Sequence, residues 1–301
     1  MMKTKQLIMI SLLALVLSGL LAACGGGGSD TVRIGTQTYT ETKILAEMYK
    51  ALIEDQTDLS VEITQDLASS PVVIQAMEGG DLDLATLYTG EVFNNHFEFE
   101  ETSYDRRKVY EIARDGFAEH FNFKWFEPFG FENTYVFTVR ADLAEERGYE
   151  TISDVAQDAP EMSLGVDTTW LERTVDGYPA FIDHYDFEFG QEYPMEIGLV
   201  YEAVANQEVD IVLAYSTDAR IKEFNLATLT DDKQFFPPFD ACAVARNKIL
   251  EAHPELNDVI GVLSNNITAE EIISLNYEVD INQRDAKEVA VQFLQQKGLL
   301  D

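Results

Sequence analysis

Strand-like and helix-like segments alternate along most of this 301-residue chain, and this alternation limits the possible folds more than any other feature of the sequence. The first unit pairs a strand-like stretch at residues 31–35 with an amphipathic helix. One face of that helix holds, at helical spacing, Ile44, Leu45, Met48 and Leu52. Strands that alternate with helices are typical of α/β domains, so the sequence predicts mostly parallel sheets with helices packed on them.

Local signals mark the starts of several helices. Thr38 and Glu41 have the spacing of a capping box, and so do Thr268 and Glu271 near the C-terminus. Pro71 suits the first turn of a further helix, because its fixed φ angle and missing N–H group cost nothing there. The sequence therefore predicts helices that begin at these three places.

The alternation continues in two series of strands. Further strands are predicted at 60–63 and 82–87 in the first series, and at 135–139, 163–166 and 210–214 in the second. Pro237 and Pro238 then interrupt the pattern, since adjacent prolines favour an extended connection. We expect two α/β lobes joined by two crossings, with lobe one at 31–134 plus 236–301 and lobe two at 135–235. A cleft between such lobes can close on a ligand by hinge motion.

The N-terminus has the pattern of an export signal. Lys3 and Lys5 precede an apolar run at 7–21, and two small residues lead into Cys24. This ending resembles the bacterial lipobox, in which the cysteine is lipidated and becomes the first residue after cleavage. The alternatives are an ordinary cleaved signal with a chance cysteine and a transmembrane anchor.

The sequence thus predicts a lipoprotein signal peptide at 1–23 and a lipid anchor on Cys24. Residues 24–30 are rich in glycine and are expected to form a flexible tether. The expected location is extracytoplasmic, with the protein lipid-anchored to the outer face of the cell membrane. The lipid anchor is the only contact with the membrane that the sequence predicts.

The chain is strongly acidic, with 54 Asp and Glu residues against 21 Lys and Arg residues and a formal charge of −33. Cleavage of the signal removes two lysines and makes the charge −35. Nucleic acid is excluded as a partner, because its phosphates would be repelled. Physiological salt screens the field beyond about 8 Å, so the choice of ligand must come from the site itself.

Motifs for catalysis and metal binding are absent from the sequence. It contains no GxSxG, CxxC, HExxH or GxxxxGK followed by Ser or Thr, which are the usual signals for acyl transfer, zinc and nucleotide phosphates. The four histidines are scattered, and Cys242 lies in an apolar run typical of a small buried residue. We therefore predict no catalytic residue, no metal and no cofactor, and a protein that is not an enzyme.

Aromatic residues stand at the ends of several predicted strands and turns. They are Tyr88, Tyr135, Tyr215 and Phe239. The carboxyl ends of the strands line the binding crevice of open α/β sheets, so these rings can face one cleft. A trimethylammonium head has no proton to donate, and ring faces hold it through cation–π attraction. Spacing alone leaves the alternative that each ring is an ordinary core aromatic.

Five segments together resemble the osmoprotectant-binding lipoproteins of bacterial ABC importers, the glycine betaine, carnitine and choline type. They lie at 35–41, 131–135, 164–173, 213–218 and 235–238 and read GTQTYTE, FENTY, LGVDTTWLER, LAYSTD and FFPP. The resemblance runs from about Val32 to the end of the chain. It implies an α/β, two-lobe, periplasmic-binding-protein-like (type II) fold with hinge crossings.

The resemblance also implies the residues of a ligand site. In that family four aromatic residues cage the ammonium head, and the matching positions are Tyr88, Tyr135, Tyr215 and Phe239. The arginine that meets the polar tail of the ligand matches Arg173, and the glutamine of the first turn matches Gln37. Gln37 precedes a helix N-terminus, which favours oxyanions. Asn133, in the FENTY segment, is predicted to bind ligand as well.

Two positions depart from the family pattern. Phe239 stands where the family usually has tyrosine, which keeps the ring and loses the hydroxyl. Glu91 stands where members that accept many betaines have a small hydroxyl residue. An acidic residue at this position resembles the choline-selective members of the family. Glu91 is a predicted ligand-binding residue that favours choline. The alternatives are that Arg173 neutralises it or that its side chain turns out of the cleft.

The resemblance implies a solute-binding protein that captures choline, glycine betaine or carnitine and delivers it to an ABC permease and its ATPase. The sequence does not rank these three ligands. One alternative is the same fold with an amino-acid ligand. Another is an extracellular hydrolase of choline esters, although the sequence supplies no evident nucleophile and base for it.

Overall fold

The computed structural model describes residues 30–94, 96–99 and 103–300, which form two five-stranded sheets with helices packed around them. The predicted signal peptide, the lipidation site at Cys24 and all but the last residue of the predicted tether lie outside the described residues. Within the described part of the chain, no helix is both long and apolar enough to cross a membrane.

Ten strands form the two sheets. They are β1 (Thr31–Gln37), β2 (Ser60–Leu67), β3 (Leu84–Tyr88), β4 (Phe123–Trp125), β5 (Tyr135–Arg140), β6 (Ser163–Val166), β7 (Gln191–Pro194), β8 (Ile211–Tyr215), β9 (Leu226–Thr228) and β10 (Ala241–Arg246). The strand order is β2-β1-β3-β10-β4 in the first sheet and β7-β6-β8-β5-β9 in the second. All six strands predicted from the sequence are present, with ends that shift by up to four residues.

Both sheets mix parallel and antiparallel pairs, so the prediction of mostly parallel sheets is wrong. The parallel pairs join β1 to β2 and β3, and β6 to β7 and β8. In contrast, β5 and β10 run antiparallel to both of their neighbours. Each of these two strands arrives from the other sheet through a connecting stretch. The connection that leads into each of these strands is therefore not the helical crossover that joins successive parallel strands.

Two connecting stretches run between the sheets. Residues 126–134 link β4 to β5, and residues 229–240, which include Pro237 and Pro238, link β9 to β10. Glu132 and Asp240 form an isolated antiparallel bridge, and the Asn133 N–H group donates to the Phe239 carbonyl at 2.9 Å. The two crossings therefore lie side by side.

Twelve α-helices surround the sheets. They are α1 (Thr40–Gln56), α2 (Ser70–Gly79), α3 (Arg106–Phe121), α4 (Ala141–Arg147), α5 (Thr168–Glu172), α6 (Tyr178–Tyr185), α7 (Val200–Ala205), α8 (Arg220–Glu223), α9 (Asn247–Ala252), α10 (Leu256–Gly261), α11 (Ala269–Asp280) and α12 (Ala286–Gln296). Three short 3₁₀ turns, at Thr89–Asn94, Ile152–Val155 and Ala159–Glu161, complete the described structure.

The two predicted capping boxes have different outcomes. Thr268 and Glu271 form theirs at the start of α11, as predicted. The box at Thr38 and Glu41 is wrong, because α1 begins at Thr40 with Tyr39 as its N-cap and no side-chain capping bond. Glu41 instead points into the protein and is 2% exposed. Its carboxylate has stronger partners in the interior than the backbone at the helix start.

Helix α1 lies between the first sheet and the C-terminal helices. It packs against β1, β2 and β3 on one side and against α10, α11 and α12 on the other. The four residues predicted for its apolar face, among them Met48 and Leu52, are fully buried. Cys242, on β10, is fully buried with a free thiol, as predicted. The start of α1 is thereby fixed at the edge of the sheet where β1 and β3 end.

Candidate functional site

A cavity of about 650 Å³ lies between the two sheets. It takes lining residues from the ends of strands in both sheets and from the crossings. All eight residues predicted to bind ligand line this one cavity: Gln37, Tyr88, Glu91, Asn133, Tyr135, Arg173, Tyr215 and Phe239. The structure therefore brings the predicted site residues together, although they are spread over about 200 residues of sequence.

Strand topology explains why the rings meet. Tyr88 is the last residue of β3 and Tyr215 the last of β8, so both lie at carboxyl ends of strands. Tyr135 is the first residue of β5, but β5 runs antiparallel to β8 and pairs Tyr135 directly with Tyr215. An antiparallel strand thus places its first residue at the edge where its neighbour ends.

Three of the predicted rings form one aromatic wall. The Tyr135 ring lies 5.5 Å from Tyr215 and 5.8 Å from Phe239, centroid to centroid, and meets Phe239 edge to face at 84°. Space for Phe239 depends on Gly90, since a β-carbon there would lie 2.2 Å from the ring. Aromatic rings that approach at these distances and angles stabilise each other and hold their faces in fixed directions.

A fifth ring, Tyr39, joins the two sides of the cavity and was missed in the sequence. Its centroid lies 5.3 Å from Tyr215 of the second sheet and 6.3 Å from Tyr88 of the first. Tyr39 stands in the segment GTQTYTE, two residues after the end of β1. The same rule that selected Tyr88, an aromatic residue at the carboxyl end of a strand, could have selected Tyr39.

The phenols of the site are neutral. Burial raises the pKa of Tyr39, Tyr88, Tyr135 and Tyr215 above the ordinary value for tyrosine. A neutral ring keeps a negative face and a positive edge, and the face attracts cations. Together with Phe239, the cavity offers five rings to a cationic group.

Arg173 already has a carboxylate partner. Its Nε and Nη2 atoms donate to the two carboxylate oxygens of Asp176, at 2.7 Å and 2.5 Å, and both side chains are buried. The guanidinium carbon lies 5.7 Å from the centre of the Phe239 ring. Asp176 was missed in the sequence, although a spacing of three residues from an arginine is a recognisable signal. The Asp176 carboxylate therefore largely neutralises the positive charge that Arg173 brings to the cavity.

Glu91 faces the cavity and is 4% exposed, so its side chain does not turn out of the cleft. The Asn94 amide donates to its Oε2 atom at 2.6 Å, and His96 Nε2 lies 3.6 Å from the same oxygen. Burial alone would raise the pKa of Glu91. The interaction with His96 and the charge of Arg173 outweigh burial and hold that pKa below the ordinary value. Glu91 is therefore ionised at neutral pH.

The cavity lining has more acidic than basic side chains. Four carboxylates line it, and Arg173 is the single Lys or Arg among the described lining residues. The carboxylates belong to Asp66, Glu91, Asp167 and Glu196. Oppositely charged groups in such a cleft attract each other more strongly than they would in water, because the surrounding medium is less polar. The arrangement suits a small cation with an apolar surface.

Gln37 and Asn133 reach the cavity lining from β1 and from the first crossing. Gln37 is the last residue of β1 and is buried, just before the N-terminus of α1. The Asn133 amide donates to Oε1 of Glu41 at 3.1 Å, while its Oδ1 atom has no hydrogen-bond partner among the described residues. Asn133 therefore presents an unused acceptor at the cavity lining and uses its donor within the protein.

Groups that bind metals or act as nucleophiles are not gathered here. Among the described residues, no group of three or more His, Cys, Asp or Glu side chains is placed to hold a metal ion. Burial raises the pKa of the Cys242 thiol well above the ordinary value, which disfavours the reactive thiolate.

These features define a two-lobe, periplasmic-binding-protein-like protein with an aromatic, acidic cavity between its sheets. The chain is similar in structure to a crystal structure of a glycine betaine/carnitine/choline ABC transporter, with a TM-score of 0.74 and 36% identity. That similarity covers 90% of this chain and 100% of the other. A choline-binding protein in complex with choline shares the fold at a TM-score of 0.63 and 15% identity, over 90% of this chain and 89% of that one.

Sequence comparison identifies the family. The chain is 44% identical over 306 residues to the carnitine transport binding protein OpuCC of Listeria monocytogenes, covering 100% of this chain and 99% of that protein. It is 31% identical to a glycine-betaine-binding protein of Pseudomonas aeruginosa, over 97% and 96% of the two chains. Residues 30–296 match the substrate binding domain of ABC-type glycine betaine transport systems, and the chain belongs to this family. It is thus the extracytoplasmic substrate-binding component of an importer.

Proposed function

We propose that this protein captures a quaternary ammonium compound in the cavity between its sheets and hands it to the permease and ATPase of an ABC importer. The main support is the group of five rings around one cavity. Such rings can hold a cation that donates no hydrogen bond. The carnitine and glycine-betaine names of the relatives agree with this class of ligand.

Within that class we infer that choline, or another ammonium compound without a carboxylate, is preferred. Arg173 is engaged by Asp176, so a ligand carboxylate would have to compete for it. Glu91 is ionised and would repel such a carboxylate. A neutral hydroxyl tail avoids both costs and can donate a hydrogen bond to Glu91.

The other functions have weaker support. An amino-acid ligand carries a carboxylate, which the ionised Glu91 would repel. A hydrolase of choline esters needs a general base beside its nucleophile. Ser69 and Ser70 line the cavity, but no histidine does among the described lining residues. The proposal therefore includes no catalytic step.

A thermal-shift screen of about a dozen methylamines tests the proposed function. Choline, carnitine and glycine betaine are compared with glycine and proline, which lack quaternary nitrogen. A true ligand present at 100 times its dissociation constant should add roughly 2.7 kcal/mol to the free energy of unfolding. Stabilisation by glycine or proline alone would favour the hypothesis that the ligand is an amino acid. Turnover of acetylcholine would favour the hydrolase.

We also propose that the protein is anchored through a lipid on Cys24. Support comes from the small residues before Cys24 and the glycine-rich residues after it. Replacing Cys24 by alanine is expected to release the protein into the medium or to leave its signal uncleaved, because the acceptor sulfur is lost. Membrane fractionation and palmitate labelling measure this outcome. The control is replacement of Cys242, the other cysteine, by alanine, which should leave the protein anchored. Unchanged membrane fractionation of the Cys24 variant would contradict the proposal.

A further inference from the structure

Glu41 is a buried carboxylate that the ligand site as described does not use. It lies in the first turn of α1 and is 2% exposed. Removing a carboxylate from water is costly unless donors replace the lost water. The neighbours of Glu41 therefore indicate what it does.

The donors to Glu41 come from separate parts of the chain. The Tyr88 hydroxyl, from β3 and the cavity wall, donates to Oε1 at 2.5 Å. The Asn133 amide, from the first crossing, donates to the same oxygen at 3.1 Å. The Asn276 amide, from α11, lies 3.4 Å from Oε2. One carboxylate thus joins a ring of the ligand site to a crossing and to a C-terminal helix.

Contacts of Glu41 also reach the second sheet. The Asn276 amide, which donates to Oε2 of Glu41, also donates to the Thr217 carbonyl at 3.1 Å. Thr217 is buried, two residues after the end of β8. Burial raises the pKa of Glu41, and its polar neighbours oppose this rise. Asn276 therefore links Glu41 to the second sheet.

All of these groups donate, which is the environment that an ionised carboxylate requires. Opening the cleft would separate the Thr217 carbonyl from the Asn276 amide that also donates to Glu41. A buried polar group that loses its partner is unfavourable, so this link favours the arrangement in which the sheets are together.

The bond from Tyr88 reaches the ligand site. A phenol that donates to a carboxylate shifts electron density into its ring and strengthens the negative face that attracts a cation. The same bond fixes the direction of the Tyr88 ring, which lies 6.3 Å from Tyr39. The state of Glu41 therefore affects the Tyr88 ring, which lines the cavity.

We propose that Glu41 is a positioning residue that couples closure of the two sheets to the Tyr88 ring, by accepting hydrogen bonds from Tyr88 and from Asn276, whose amide also donates to the Thr217 carbonyl. This inference rests on the proposed function for its ligand. It also makes a claim about closure that holds without ligand. A signal that resembled a helix cap in the sequence is, in the structure, a link between the sheets.

The test compares Glu41→Gln with Glu47→Gln. Glu47 lies on the same helix outside the cavity lining, so both variants lose one negative charge and only the first loses the junction. Titration with choline, and stopped-flow measurement of its dissociation, should show at least a tenfold weaker affinity for Glu41→Gln, mainly through faster dissociation. Glu47→Gln should stay within twofold of the parent. An affinity of Glu41→Gln within twofold of the parent overturns the proposal.

A second measurement separates coupling from a loss of folding. Tyr88→Phe and Asn276→Leu each remove one donor to Glu41 and keep roughly the size of the side chain. Their effects on choline affinity should be non-additive, differing from the product of the single effects by threefold or more, because both act through Glu41. Additive effects would overturn the proposal even if Glu41→Gln does not fold.

Small-angle scattering without ligand distinguishes failure of this inference from failure of the proposed function. Asn276→Leu, which keeps Glu41 and removes the amide that links it to Thr217, should have a larger radius of gyration than the parent, because the closed arrangement is less favoured. Equal radii for Asn276→Leu and the parent contradict the inference. Failure of the parent to bind any quaternary ammonium compound contradicts the proposed function and leaves the scattering result as the test of Glu41.

Discussion

Replacing Tyr135 or Tyr215 by alanine is expected to weaken choline binding by roughly 1–2 kcal/mol or more, about five- to thirtyfold. Both rings belong to the aromatic wall, and they contact each other directly with centroids 5.5 Å apart. A desolvated cation loses the attraction of a ring face when either is removed. Isothermal titration calorimetry with choline measures the loss.

The matched controls are Tyr135→Phe and Tyr215→Phe, which keep the ring and remove only the hydroxyl. They should bind choline within about threefold of the parent if the ring face is the binding element. Tyr135 also packs against Trp170 and Phe236 at 6.3 Å and 5.9 Å. Thermal midpoints without ligand are therefore needed to correct for lost packing. Alanine variants within twofold of the parent would exclude the aromatic cage.

Much of the fold could be predicted from the sequence because periodicity and turn signals are local. The apolar face of α1 and the starts of α2 and α11 follow from residue spacing alone. The strand direction in each sheet could not be predicted in this way. It depends on which sheet a strand enters after a crossing, and the sequence near β5 or β10 contains no signal for that. The lobe boundaries at 134/135 and 235/236 stay a prediction.

The ligand site also has parts that could be predicted from the sequence and parts that could not. Its eight predicted residues could be proposed together because a family resemblance selected them, and the structure places all of them around one cavity. Their role in binding stays a prediction. Tyr39 and Asp176 were missed, although strand-end position and arginine spacing were available as signals. Glu41 was misread because its spacing from Thr38 fits a capping box, and only the packing of α1 shows that its carboxylate points inward.

Replacing Glu91 is expected to change the choice of ligand more than the strength of binding. Glu91 lines the cavity, is buried and has a pKa below the ordinary value, so it carries its negative charge at neutral pH. The charge of Arg173 lowers the pKa of Glu91, but Arg173 forms its close ion pair through Nε and Nη2 with Asp176 and not with Glu91. The cavity therefore contains an ionised acidic group, which we propose acts on the tail of the ligand.

Glycine betaine ends in a carboxylate and choline in a hydroxyl, so the charge of Glu91 acts on them differently. Two like charges about 4 Å apart cost roughly 1 kcal/mol in water and about 4 kcal/mol at an effective dielectric constant near 20. Glu91 should consequently favour choline over glycine betaine by about fivefold to several hundredfold. Titrations of choline, carnitine and glycine betaine into the parent measure the preference.

Two variants then separate charge from shape. Glu91→Gln keeps the length of the side chain and removes its charge, while Glu91→Thr also removes its bulk. Both should shift the ratio of dissociation constants towards glycine betaine, and the shift in Glu91→Gln isolates the electrostatic part. A ratio that both variants leave unchanged, or a parent that binds glycine betaine tenfold better than choline, would show that Glu91 does not set selectivity. A shift in Glu91→Thr alone would show that size, not charge, decides which tail the cavity accepts.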